Sequence, residues 1–441
     1  MITARAFSGK RYAVLGLARS GRAVVETLSA SGAEVLAWDN REAARDNLPE
    51  GVQLGDPLTT DLTGYDAIIV SPGVPINRHP IADRARAFGL PLIGDIELFA
   101  MARGELPVHK VVGITGTNGK STTTALVHHM LRHAGYSTLM GGNIGLPILS
   151  QPPLQPNDKG PAVYVLELSS FQIDLTLSLD CDVAVLLNIT PDHLDRYDDF
   201  AAYAAAKARL FAMQSAGRHA VVNRATEDEF AVIGSRDDLM VRFLDAVSVT
   251  GQDNWPALAG PHNRQNAAAA ISIGETLGLG SPAIAASFAG FEGLSHRMEV
   301  IAQFEGVTFV NDSKATNPAA TAPALAAYRD IHWIAGGLAK EKGLDDCAPY
   351  FDRIKHAYVI GEAGPDYAEL LAPHMPISRS EMLGNAVKQA FERAVPGDVV
   401  LLSPACASFD QFRDFEARGA CFRKMVDKLI AETKSEGEKV A

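Results

Sequence analysis

At 441 residues the chain is too long for one ordinary hydrophobic core, and usual domain sizes divide it into about three domains of roughly 100–190 residues. Its 47% hydrophobic and 21% charged residues are those of a soluble globular protein, with no run near the ~18 apolar residues of a membrane span and no signal-peptide pattern, so the cytoplasm is the expected location. A formal net charge of −12 excludes a general nucleic-acid-binding face, so any anionic ligand must meet Lys, Arg, backbone N–H groups or a metal gathered locally.

Strand-like apolar runs alternate with helical patterns almost throughout, which predicts an α/β protein of parallel sheets covered by helices on both faces. The first unit holds the runs Tyr12–Leu15, Glu34–Trp38 and Ala67–Val70 and ends near Gly104-Glu105-Leu106-Pro107. After its first run comes Gly16-Leu17-Ala18-Arg19-Ser20-Gly21, with Asp39 closing the second, a dinucleotide fingerprint carrying Ala18 in place of the middle glycine. An oxidoreductase would set Asp39 on the adenosine ribose. A Rossmann-like unit accepts other nucleotides equally well, so the choice stays open at this point. Ser71-Pro72-Gly73-Val74-Pro75 follows the third run, as a rigid turn at the same sheet edge or as a plain connection.

A second unit opens with Lys110–Thr115 and continues through Val163–Leu168, Val183–Leu187 and Ala220–Asn223. Between its first strand and the helix predicted over Thr123–His133 lies Gly116-Thr117-Asn118-Gly119-Lys120-Ser121-Thr122. Backbone N–H groups of such a turn surround a polyphosphate, Lys120 reaches the terminal phosphates, and the Ser121 hydroxyl suits Mg²⁺. The common P-loop spacing needs glycine where this chain has Ile114, so the loop is a variant. Glu167 lies at the end of an apolar strand, where open α/β sheets place ligands, and Asn188-Ile189-Thr190-Pro191-Asp192-His193-Leu194-Asp195 follows the next strand with further metal-type donors, His193 foremost. Lys207 sits in an Ala-rich helix predicted over Phe200–Met213, where pattern alone gives a solvated lysine.

The pattern is irregular over 234–262, and an Ala-rich helix begins near Asn263. The third unit starts near Arg297 and carries strands at Thr308–Val310, His332–Ala335, Tyr358–Ile360 and Val399–Leu402. Asn311-Asp312-Ser313-Lys314-Ala315-Thr316-Asn317 mixes donors, a carboxylate and an ammonium directly after a strand, a combination suited to phosphate and an amino acid. Ser403-Pro404-Ala405-Cys406-Ala407-Ser408-Phe409-Asp410 is another turn of small residues. The four cysteines, Cys181, Cys347, Cys406 and Cys421, show no spacing for a disulfide framework or zinc.

Taken together, four of these stretches resemble the Mur ligase family of bacterial cell-wall synthesis over nearly the whole chain: residues 116–122, 188–197, His262-Asn263 leading to Asn266, and 311–317. Ser403–Phe412, with Arg413–Gly419 after it, is similar to the C-terminal motif of the members that add D-glutamate to UDP-N-acetylmuramoyl-L-alanine. The resemblance implies a three-domain α/β architecture: a Rossmann-like domain for the UDP substrate at 1–107, a central P-loop ATPase domain at 108–296, and a Rossmann-like amino-acid domain at 297–441. It assigns Arg19, Ser20, Asp39, Asn40, Arg41, Ser71, Gly73 and Asn143 to the UDP substrate. ATP falls to Thr115, Gly116, Thr117, Asn118, Gly119, Lys120, Ser121, Thr122, Asn263, Asn266, Arg297, Asp312 and Lys314, and D-glutamate to Thr316, Lys340, Ser408 and Phe415. Lys120, Glu167, His193, Lys207, Arg297 and Lys314 would be catalytic, with Mg²⁺ at two sites on Ser121, Glu167, His193 and a Lys207 carbamylated by CO₂.

Two points stay open in that assignment: Lys342 competes with Lys340 for the glutamate, and Ala18 replaces a usual glycine. The implied reaction joins a carboxylate to an amine through an acyl phosphate, in a monomer without nucleic-acid partners. A folate-polyglutamate-type ligase shares the loop but would not be expected to carry the nucleotide-type unit at 1–107, and a nucleotide-regulated binding module would bind ATP without ligation.

Overall fold

The computed structural model describes residues 1–192, 196–224, 236–340 and 343–440, apart from the side chains of Pro256 and 436–440. Three sheets organise the chain. In the first, β1 (Arg11–Leu15), β2 (Glu34–Trp38), β3 (Gln53–Leu54), β4 (Ala67–Val70) and β5 (Leu92–Ile93) lie in the order β3-β2-β1-β4-β5, with every pairing parallel. Helices α1 (Arg19–Ala30), α2 (Ile81–Phe88) and α3 (Asp95–Ala102) accompany it. Strand order reverses at the β1/β4 border, the crevice where such sheets receive ligands, and the turns after both strands open there.

The second sheet is also parallel, in the order β11-β10-β9-β6-β8-β7, from β6 (His109–Thr115), β7 (Thr138–Gly142), β8 (Ala162–Glu167), β9 (Val183–Leu186), β10 (His219–Val222) and β11 (Met240–Phe243). With it go α4 (Lys120–His133), α5 (Ser170–Asp174) and α6 (Phe200–Ala212), followed by α7 (Pro261–Thr276) and α8 (Ser281–Ala289). The central β6 is flanked by β8 and β9, so the loop after it emerges between the end of β8 and the segment after β9. Its residues Val111, Val112 and Ile114 are fully buried, as both faces of a covered parallel strand should be.

The third sheet runs β12-β13-β17-β14-β15-β16, from β12 (Glu299–Phe304), β13 (Val307–Asn311), β14 (Ile331–Gly336), β15 (Ile354–Ile360), β16 (Ile377–Glu381) and β17 (Val399–Leu402). It departs from the all-parallel expectation. β12 forms an antiparallel hairpin with β13 across the turn at Glu305-Gly306, a connection short enough to forbid a parallel crossover. Helices α9 (Pro318–Ala327), α10 (Gly364–Leu371), α11 (Leu383–Arg393) and α12 (Phe415–Val440) complete this region.

Two compact units result: Met1–Thr250 with Gln265–Phe288, and Gly251–Arg264 with Ala289–Ala441. In the first, one apolar core runs continuously from Phe7, Val14 and Phe99 to Tyr164, Leu166 and Leu186, so the first two sheets share their interior. Phe99 meets Tyr164 edge to face at 5.1 Å. Among the described residues no helix is long and apolar enough to cross a membrane.

Candidate active site

The turn after β1 is wired to a carboxylate. Asp39, 8% exposed at the end of β2, accepts from the Leu17 N–H at 2.8 Å and the Arg41 N–H at 2.9 Å, and its Oδ1 lies 3.2 Å from Arg41 Nε. Burial opposes its ionisation, but the Arg41 guanidinium and the two N–H groups overcome this and hold the carboxyl below its usual range. Ala18 takes an extended conformation (φ −70°, ψ −170°) open to any residue, so the chain needs no glycine there. Ser71 Oγ donates to Gly16 O at 2.8 Å, which ties the turns after β1 and β4 across the switch point. Arg19 reaches Gly145 O at 2.8 Å, while Arg19, Asn40, Arg41 and Gly73 lie exposed around this crevice and Ser20 begins α1 partly buried.

The turn after β6 is wired to amides and lysines. Thr117 N donates to Asn188 O at 3.0 Å, Asn118 N to Asn188 Oδ1 at 2.8 Å, and Asn188 Nδ2 to Gln265 Oε1 at 3.0 Å. Asn266, 2% exposed, accepts from Thr123 Oγ1 at 3.1 Å. Gly119 has φ +83°, and a Cβ on it would lie 2.3 Å from Asn266 Oδ1, so the loop closes tightly enough against α7 to exclude any side chain there. Lys120 Nζ donates to Gly116 O at 2.9 Å and Thr117 O at 2.7 Å, folded over the loop it would share with a phosphate. Ser121, 6% exposed, starts α4 behind it.

Lys207 is not the solvated lysine that pattern alone gives. It is 1% exposed, and its Nζ reaches Gly116 O at 3.0 Å, the same carbonyl that Lys120 occupies, while lying 4.6 Å from the centre of the Tyr203 ring. Burial, then the neighbouring Lys120 charge, push its pKa well below that of an ordinary lysine. Glu167 ends β8 beside Ile114 of β6 and is 2% exposed. Its Oε1 accepts from Asn143 Nδ2 at 3.0 Å, and its Oε2 is buried without a hydrogen-bond partner among the described residues. Gly142 makes this possible, because a Cβ there would lie 2.1 Å from Glu167 O.

A buried carboxylate oxygen without a hydrogen-bond partner among the described residues fits a hard cation, and so does the Ser121 hydroxyl in the first turn of α4. Glu167 and Ser121 could therefore hold Mg²⁺, although no three His, Cys, Asp or Glu side chains converge on a metal position among the described residues. His193, the remaining expected donor, lies outside the described residues, as do Lys342 and the neighbouring Leu194 and Asp195.

In the second unit the two small-residue turns pack on one buried arginine. Arg418, 1% exposed, donates from Nε to Ser313 Oγ at 3.0 Å and from Nη2 to Ser313 O at 2.9 Å and Cys406 O at 3.0 Å. Burial lowers its pKa to about 10, so it stays a cation at neutral pH. Lys340 Nζ donates to Thr316 Oγ1 at 3.0 Å, the Lys314 ammonium lies 3.7 Å from the centre of the Phe415 ring, and Ser408 is 2% exposed. Asp312 accepts from Ser403 Oγ at 2.7 Å and Met298 N at 3.1 Å, and burial pushes its carboxyl up to about 7 despite those donors and Arg297. Asn263 Nδ2 donates to Ala259 O at 2.9 Å, and Arg297 closes a turn by donating its N–H to Leu294 O at 3.1 Å.

Three contributors escaped the sequence reading. Asn188 opens a stretch read for its metal donors, yet its amide brackets the loop backbone. Tyr203 stands four residues before Lys207, a helical spacing that could have flagged it. Arg418 lies in the Arg413–Gly419 stretch that the resemblance picked out, but no role was given to it, since an arginine in a charged helix reads as solvated.

Two strand–turn–helix turns in one unit, one backed by the Asp39 carboxylate and one by the half-buried Lys120 and the buried Lys207, have the form of an α/β phosphate-loop enzyme with a second nucleotide-type domain. Models of the Mur ligase middle domain, the Mur ligase glutamate ligase domain and the MurD-like N-terminal domain match residues 114–246, 296–406 and 10–94. UDP-N-acetylmuramoylalanine--D-glutamate ligase of Novosphingobium aromaticivorans is 61% identical, covering 98% of each chain. The enzyme of that name from Sphingopyxis alaskensis is 57% identical over 98% of this chain and 100% of its own. The chain belongs to the Mur ligase family. Among solved structures, the UDP-N-acetylmuramate-alanine ligase of Thermotoga maritima shares the fold with a TM-score of 0.58 at 18% identity, covering 95% of this chain and 99% of its own.

Proposed function

We propose that this chain is an ATP-dependent ligase that joins D-glutamate to UDP-N-acetylmuramoyl-L-alanine in peptidoglycan precursor synthesis, working as a cytoplasmic monomer. The observation that carries the ligase reading is Glu167. One of its oxygens is held by Asn143, on the sugar-peptide side, and the other is buried without a partner at the strand end beside the phosphate loop. Relatives that bear the D-glutamate ligase name over nearly their full length support the choice of acceptor.

In this reading residues 1–107 bind the UDP group through Arg19, Ser20, Asp39, Asn40, Arg41, Ser71 and Gly73. Residues 108–296 bind ATP on Thr115–Thr122, Asn263 and Asn266, and residues 297–441 hold D-glutamate with Thr316, Lys340, Ser408 and Phe415, while Arg297, Asp312 and Lys314 attend the nucleotide. Lys120 and Arg297 offset the charge that gathers on the γ-phosphate as the substrate carboxylate attacks phosphorus; ADP leaves and an acyl phosphate forms. The unprotonated amine of D-glutamate attacks the acyl carbon, His193 takes its proton, and phosphate departs from the tetrahedral intermediate to leave the amide.

Mg²⁺, at two positions, supplies electrophilic stabilisation of the phosphate oxygens, with Ser121, Glu167, His193 and carbamylated Lys207 to hold it. The neutral form of a lysine is the one that adds to CO₂, burial shifts Lys207 in that direction, and the added carbamate would replace a cation that repels metal with anionic oxygen.

An acceptor screen tests the assignment. ADP release from ATP and UDP-N-acetylmuramoyl-L-alanine should require D-glutamate and should fail with L-glutamate, L-lysine and meso-diaminopimelate. Efficient turnover with a diamino acid would overturn the acceptor, and ATP hydrolysis indifferent to any acceptor would return the chain to a nucleotide-regulated binding module.

A further inference from the structure

The loop after β6 is gripped by the segment after β9, through hydrogen bonds that involve no charged group. Leu187 N donates to Thr115 O at 3.1 Å and Thr117 N to Asn188 O at 3.0 Å, so the ladder between β6 and β9 continues past Gly116 into the loop. The Thr117 hydroxyl accepts from Thr190 N at 3.0 Å, donates to Thr190 O at 3.2 Å and stands 3.1 Å from Tyr203 OH. One residue on, the Asn188 side chain pairs with backbone groups of Asn118 at both ends. Asn118 N donates to Oδ1 at 2.8 Å, and Nδ2 donates to Asn118 O at 3.2 Å. The second hydrogen on Nδ2 goes to Gln265 Oε1 at 3.0 Å, and Gln265 Nε2 donates to Leu187 O at 2.8 Å.

Neither amide can be turned round. A flipped Asn188 would set its oxygen against Asn118 O and its NH₂ against the Asn118 N–H, and a flipped Gln265 would set oxygen against Leu187 O. The backbone therefore fixes both side chains, and both hydrogens on Asn188 Nδ2 are used. Gly116 keeps the contact close, because a Cβ there would lie 3.1 Å from Leu187 Cβ and 3.3 Å from Asn188 O. The consequence concerns phosphate. Such a loop binds anions through backbone N–H groups, and those of Thr117 and Asn118 are already spent inside the protein. The other half, Gly119–Thr122, runs into the start of α4, where the helix dipole favours an anion.

We propose that Asn188 is a positioning residue for the nucleotide: its amide, braced by Gln265, holds the first half of the loop to the sheet, so that the phosphates are received by the second half, Gly119–Thr122. This rests on the assignment of the loop to ATP. The clamp sets one loop shape before binding and during transfer alike. Losing it therefore weakens nucleotide binding throughout and acts on the KM for ATP, whereas the Lys120 ammonium acts as charge grows on the phosphate.

Amide hydrogen exchange of the full-length protein, resolved by NMR with and without Mg²⁺ and a non-hydrolysable ATP analogue, tests this. The Thr117 and Asn118 amides should be protected without nucleotide and change little on binding, while those of Gly119–Thr122 should slow by ~10-fold or more. Asn188→Leu keeps the branched shape, adds no charge and removes three side-chain hydrogen bonds. At about a factor of five each, it should raise the KM for ATP about 100-fold, with kcat at saturating ATP within about 3-fold and the KM of the UDP substrate within about 2-fold. Gln265→Met removes one of the three and should raise the KM for ATP about 5-fold, a second route should the Leu variant fold poorly. Thr117 and Asn118 amides that gain protection with the nucleotide as strongly as Gly119–Thr122 overturn the proposal. So does a KM rise shared equally by all three substrates, or a loss of kcat with the KM for ATP unchanged. Failure of the wild type to bind the analogue would instead sink the ATP assignment beneath it.

Discussion

The turns after β1 and β6 share one grammar, a buried parallel strand, a glycine-bearing turn and the start of a helix, yet their surroundings carry opposite charge. The first is stapled by Asp39, whose carboxylate accepts from the turn's own Leu17 N–H and so turns part of the anion-binding backbone inward. The second keeps amides and hydroxyls around its backbone and lays two lysines on one carbonyl, that of Gly116. A turn backed by an acid suits a nucleotide held by its sugar and base without transfer of its phosphate; a turn backed by lysines suits a phosphate on which negative charge grows during transfer. Fold alone would have made the two interchangeable, and the side chains behind the backbone decide between them.

Removing the cation assigned to the reacting phosphate should have the largest effect. Lys120→Ala is expected to reduce turnover by about 1000-fold, measured as ADP release at saturating substrates, in the range found for removal of one transition-state donor. Loss of no more than a few-fold would mean that the ammonium on the loop carbonyls stays there during the reaction.

Next comes Lys207→Ala. Alanine suits an Ala-rich helix, so the variant should fold, yet lose at least ~100-fold in activity if the carbamate oxygens contribute about 3 kcal/mol. Added acetate should restore part of the loss by filling the vacated volume with an anion. Full activity without rescue would remove Lys207 from the metal site and leave its burial a matter of packing.

The smallest effect sharpens the geometric half of the comparison. Gly119→Ala places a methyl group at φ +83° against Asn266 Oδ1 and should lower unfolding free energy by about 1–3 kcal/mol, read by denaturant titration with and without ATP. Pairing it with Asn266→Ala should recover part of that loss, since the nearest obstruction is gone.

Much of this was legible because both turns sit at the ends of strongly apolar central strands. β2, β4 and β17 begin and end where the runs Glu34–Trp38, Ala67–Val70 and Val399–Leu402 predicted. The missed strands lie at the sheet edges and are short or partly exposed: Gln53–Leu54, Leu92–Ile93, Thr138–Gly142, Met240–Phe243, Glu299–Phe304 and Ile377–Glu381 lack a long apolar run, because an edge buries fewer side chains. The site divides in the same way. Lys120 and Ser121 are bound to their turn by sequence neighbours, whereas the pairing of Glu167 with Asn143 depends on β7 and β8 lying side by side, which no local pattern encodes.

The most direct test of the division between the two turns is a crossed calorimetric titration. Asp39→Ala and Lys120→Ala are each titrated with UDP-N-acetylmuramoyl-L-alanine and with ATP. The account predicts that Asp39→Ala weakens the UDP substrate by about 10-fold or more and leaves ATP within about 2-fold, while Lys120→Ala does the reverse, as independent sites should. If Lys120→Ala lost the UDP substrate as severely as Asp39→Ala, the assignment of one nucleotide to each turn would be wrong.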